Sequence, residues 1–163
     1  MSERIEKLMR EYPQMKTEAK CLENQIRDFR GITETEMIES MLYSQPEGER
    51  VQTSGVSDKT ARIAISYRER MERINGEWYD YLEKKYVLLT EELRFFESAL
   101  HSLSGTLPQV ISDMVVEKMT WDDLAAKYYV SRTMISKYRK KAIEELDQLY
   151  AAHEAEIAAY ILK

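Results

Sequence analysis

The chain has 163 residues, 33% of them charged and 44% hydrophobic, with a formal net charge of −5, five Gly, three Pro and one Cys. This length allows one domain or two small ones, and so little glycine and proline argues against a turn-rich sandwich or barrel and for an all-α chain. No apolar run reaches the roughly 18–20 residues of a membrane span, so no membrane partner is expected.

The N-terminus, MSERIEKLMREY, is charged throughout and does not read as a secretory signal. With Cys21 as the single cysteine, no intrachain disulfide can form, and a reducing cytoplasm is the expected compartment. His101 and His153 have no paired thiolate or histidine at ligand spacing, so neither a metal nor a cofactor is expected.

Residues 1–30 predict the first helix. Ile5, Leu8, Tyr12, Met15, Ala19, Leu22, Ile26 and Phe29 alternate three and four apart, the seam of an amphipathic or coiled-coil helix. Ser2 is placed to cap its start and Gly31 to stop it. Pro13 removes one backbone donor and predicts a kink, or an end to the first part near Tyr12.

Residues 31–58 read as a linker, long for a compact domain, and therefore mobile or bound to a partner. Within it a short helix from Glu34 to Leu42 is expected, with Thr33 and Glu36 as a capping box. A long helix over 59–103 follows, capped by Ser57 or Asp58. Its apolar residues fall in two phases. Tyr67, Met71, Ile74, Trp78 and Tyr81 form one seam, and Leu82, Tyr86, Leu89, Leu93, Phe96, Leu100 and Leu103 the other. The phase change resembles a stutter, with Asn75-Gly76 as the expected bend. The aromatic stripe Tyr67–Trp78–Tyr81–Tyr86 is expected in the core.

The segment 104–147 is the expected helix-turn-helix domain. Ser104-Gly105-Thr106 breaks the long helix and Leu107-Pro108 starts a new one, proline being tolerated in a first turn. Val110, Ile111, Met114 and Val115 form its apolar face. Residues 120–141, TWDDLAAKYYVSRTMISKYRKK, carry six bases and two acids in an acidic chain. Such a concentration of cations suggests a polyanionic partner.

A DNA-reading helix-turn-helix requires small and apolar residues where two short helices cross and polar residues on the outward face of the second. Leu124 and Ala125 fall at the crossing, Tyr128 and Val130 flank the turn, and Ile135 and Tyr138 point back into the core. Thr120 with Asp123 caps the first helix and Ser131 the second. Ser131, Arg132, Thr133, Ser136 and Lys137 are then base-reading candidates. Arg139, Lys140 and Lys141 are phosphate candidates. Tyr129 stands where such turns usually hold glycine, which points to a variant turn.

Beyond the recognition helix, Ile143, Leu146, Tyr150, His153, Ile157 and Tyr160 keep helical spacing, and 148–163 reads as a C-terminal helical tail suited to oligomerisation. His153 is expected as a packed residue of that stripe. No catalytic constellation is present in the sequence, so the chain does not read as an enzyme.

Residues Leu103, Leu107-Pro108 and TWDDLAAKYYVSRTMISKYRKKAIEEL resemble region 4 of sigma-70-type factors. The whole chain is similar to phage late-gene transcriptional activators of the RinA/ArpU type, through Tyr12-Pro13, the variable loop and Ser57-Asp58-Lys59-Thr60. The resemblance implies a phage or prophage activator of packaging or lysis genes, in the bacterial cytoplasm, that binds double-stranded promoter DNA; the long heptad seams and the short site read by one helix-turn-helix point to a dimer. Two alternatives remain at this point: a small-terminase-like DNA-packaging protein, and a sigma-like adaptor whose main partner is RNA polymerase.

Overall fold

Ser2 starts the first helix as expected. Its Oγ accepts the Ile5 N–H at 3.4 Å and its carbonyl accepts the Glu6 N–H at 3.2 Å, replacing donors' partners that a helix start lacks. The computed structural model describes residues 2–36, 39 and 58–163, with the side chains of 66 and 68–163 in the last stretch. The fold is all-α, with no strand among the described residues. Helix α1 spans Glu3–Arg27 and α2 spans Asp58–His101. Three helices follow: α3 (Leu107–Val115), α4 (Trp121–Tyr128) and α5 (Arg132–Ile161). None of the described helices is long and apolar enough to cross a membrane.

Contacts divide the chain into two units, Met1–Lys20 with Leu88–Lys163, and Cys21–Val87. The division cuts across the expected segments because α1 and α2 each contribute one stretch to each unit. In the larger unit, the start of α1 and the end of α2 pack with α3 and α5. Ile5 and Tyr12, Phe96 and Leu100, Ile111, and Ile143 and Leu146 belong to one buried cluster. Burying each such side chain contributes about 1.5–3 kcal/mol. The domain expected at 104–147 therefore shares its core with helices outside that range.

Both places where a kink, an end or a bend was expected lie inside continuous helices. α1 runs unbroken through Pro13. Proline costs the helix one hydrogen bond, but its neighbours are anchored: Met9 and Tyr12 are buried, and Tyr12 lies 5.4 Å from Phe96. Tyr12 Oη donates to Glu97 at 2.6 Å and Lys16 Nζ lies 2.5 Å from the same carboxylate. Likewise α2 continues through Asn75-Gly76 for 44 residues.

In the smaller unit, Asn75 makes a tertiary contact: its Oδ1 accepts the Ile32 N–H at 2.7 Å. Gly31 takes φ +70°, and a Cβ there would meet the Asn75 side chain at 2.6 Å. Glycine is thus required both by the left-handed backbone and by the close approach. The expected aromatic core is also corrected. Trp78 and Tyr81 are 47% and 53% exposed and stack on each other at 5.5 Å. Tyr79 takes the inward position, edge-on to Phe29 at 5.2 Å. Thr33 and Glu36 form the expected reciprocal cap, at 3.0 and 3.3 Å. The expected extension of that helix to Leu42, most of the 31–58 linker and the Tyr67 side chain lie outside the described residues.

Candidate nucleic-acid interface

The helix-turn-helix is built from α3, α4 and α5 around a small core of Val110, Leu124 and Ile135. Local chemistry sets its boundaries. Thr120 is extended and its Oγ1 accepts the Asp123 N–H at 3.2 Å. Ser131, also extended, accepts the Met134 N–H at 3.2 Å. Each bond satisfies one of the donors left over at a helix start. Leu124 and Ile135 are fully buried, with Ala125, Tyr128, Val130 and Tyr138 packed around them.

Tyr129 closes α4 in the left-handed conformation, φ 55° and ψ 42°. The expected variant turn is therefore not formed: the turn takes the conformation that usually belongs to glycine, with tyrosine in it. The Val130 N–H returns to the Ala125 carbonyl at 3.0 Å, as in a helix ended by a left-handed residue. The Tyr129 side chain is 95% exposed, so it recovers no packing energy. Tyr129→Gly should raise stability by about 0.5–1 kcal/mol in urea denaturation, the relief of left-handed strain being partly offset by the freer unfolded chain.

Asp113 on α3, which sequence reasoning passed over, fixes α3 to α4. Its Oδ2 accepts from Lys127 Nζ at 2.6 Å and from Tyr128 Oη at 2.5 Å. Those two bonds hold the Asp113 carboxyl below the usual aspartate range, against a small opposing effect of burial. Burial, with the bond to Asp113, pushes the Tyr128 phenol up to about 12. Because the Asp113 pKa is lowered on folding, its contribution is complete above about pH 4 and is lost as pH falls through the depressed value. Asp113→Asn should cost about 1–2 kcal/mol at neutral pH. In urea titrations, that deficit should shrink towards zero below the folded pKa.

On α5, Thr133, Ser136, Lys137 and Lys140 stand at i, i+3, i+4 and i+7 and so share one stripe. Thr133, Lys137 and Lys140 are exposed and Ser136 half-buried, whereas Ile135 and Ala142 are buried. Ser131, Arg132 and Lys141 are exposed beside this stripe. Arg132 Nε lies 3.2 Å from Asp122 Oδ1, with both side chains largely exposed. An exposed pair of this kind contributes only about 0–1 kcal/mol, so Arg132 is easily released to another anion.

Arg139 stands apart from the other candidates. It is half-buried, and its Nη1 lies 3.8 Å from Glu6 Oε1 on α1. It lines a groove of about 840 Å³ where α1 meets the helix-turn-helix. Only contacts between distant segments put it there, and no local sequence signal marks them. Among the described residues no cluster of His, Cys, Asp and Glu is arranged to hold a metal ion.

The chain matches no protein-family profile, and no curated protein or solved structure matches it.

Proposed function

We propose that this chain is a sequence-specific DNA-binding transcription regulator that reads the major groove with the start of α5. One observation carries the reading: the stripe of Thr133, Ser136, Lys137 and Lys140, on a helix capped by Ser131 and held from behind by Ile135. Lysine, arginine, serine and threonine can address base edges, and a helix start offers free N–H groups to a phosphate. The net charge of the chain is negative, so this cationic stretch supplies the attraction that the rest of the surface does not.

On this reading Ser131, Arg132, Thr133, Ser136 and Lys137 face bases, and Lys140 and Lys141 reach phosphates. Arg139 serves α1 unless binding draws it away from Glu6. The resemblance to late-gene activators makes promoter DNA the proposed target, and RNA polymerase a proposed further partner.

Selection of bound duplexes from a random pool tests the proposal. The expected result is enrichment of a defined sequence whose affinity falls steeply as salt is raised. Recovery of no motif, together with binding as weak as that of an unrelated acidic protein, would sink it.

A further inference from the structure

The groove beside Arg139 and the exposed end of α5 are complementary to each other. Met9, Pro13 and Trp121 give the groove an apolar wall. Its rim carries three cations, Arg10, Lys118 and Arg139, against one acid, Glu6. At position 13 the helix offers no N–H, so the Met9 carbonyl lacks its usual helical donor.

The last turns of α5 have the opposite character. From 152 to 162 the charged residues are Glu154, already paired with Arg4 of the same chain, and Glu156, with no Lys or Arg before Lys163. Tyr160, Ile161 and Leu162 are large apolar side chains that are 81%, 72% and 85% exposed. Ile157 stands one turn before Ile161 on the same stripe.

The tail cannot fill the groove of its own chain. Arg139 and Tyr160 belong to one unbroken helix, which holds them about 30 Å apart along its axis. We infer that the occupant is a second copy, the tail of each protomer seating Ile157, Tyr160 and Ile161 in the groove of the other. Glu156 then meets the cationic rim. Because each chain offers one tail and one groove, a two-fold dimer closes with both filled.

Sedimentation of the full-length chain without DNA tests this pairing separately from DNA binding. Wild type should be a concentration-dependent dimer. Tyr160→Ser/Ile161→Ser and, separately, Arg10→Glu/Lys118→Glu should each raise the dimer dissociation constant by at least about tenfold. Helicity by circular dichroism should be unchanged, since the replaced residues are exposed. An equimolar mixture of the two variants should dimerise more tightly than either alone, because one intact tail then meets one intact groove. A monomeric wild type would overturn the inference. So would a groove variant that dimerises like wild type, which is the outcome if tails pair with tails.

Discussion

Replacing Arg132 and Lys137 together by alanine should abolish selective binding to the enriched duplex in fluorescence anisotropy. Both side chains are exposed on the outward side of α5, so helicity and melting temperature should stay the same. If each reads a base edge, the pair is worth about 2–6 kcal/mol of binding free energy. Two comparisons give the result its meaning. Lys140→Ala should weaken all duplexes alike and lower the salt slope by about one. Arg139→Ala should affect DNA binding least, because its partner is Glu6. Unchanged affinity in the Arg132/Lys137 variant would remove this face from consideration.

Leu124→Ala should destabilise the larger unit by about 2–5 kcal/mol, measured by urea denaturation. Leu124 is fully buried and its cluster contains only two other buried side chains, Val110 and Ile135. The partly buried side chains around it can close only part of the gap left by a lost isobutyl group, so a cavity will persist. The expected loss is a large fraction of the 5–15 kcal/mol typical of a folded domain. A change below about 1 kcal/mol would mean that this small cluster contributes little to holding α4 and α5 together.

What the sequence revealed, and what it hid, divides by range. Thr120, Ser131 and the Thr33/Glu36 pair were legible because a cap depends on residues three apart. Leu124, Ile135 and the polar stripe on α5 were legible because helical period alone sorts them. Pro13 does not end the first helix, because the contacts of Tyr12 with Phe96 and Glu97 outweigh local propensity there. Trp78 and Tyr81 misled for a related reason: a seam counted along one helix does not say which neighbouring residue, here Tyr79, turns inward. The position of Arg139 and the bridging by Asp113 depend on how α1 and α3 approach α5 and α4, which no spacing within one helix encodes.

The continuity of α5 carries a mechanical consequence. One helix holds the proposed reading face at its start and the exposed tail at its end, with no hinge between them. The two ends are therefore locked in phase, like marks on a rigid shaft. A single residue inserted near Leu149 would rotate the tail by about 100° relative to Lys137 and advance it by only about 1.5 Å. Seven inserted residues would nearly restore the angle and lengthen the shaft by about 10 Å. Angular register, more than length, then sets which way the tail faces relative to the reading stripe.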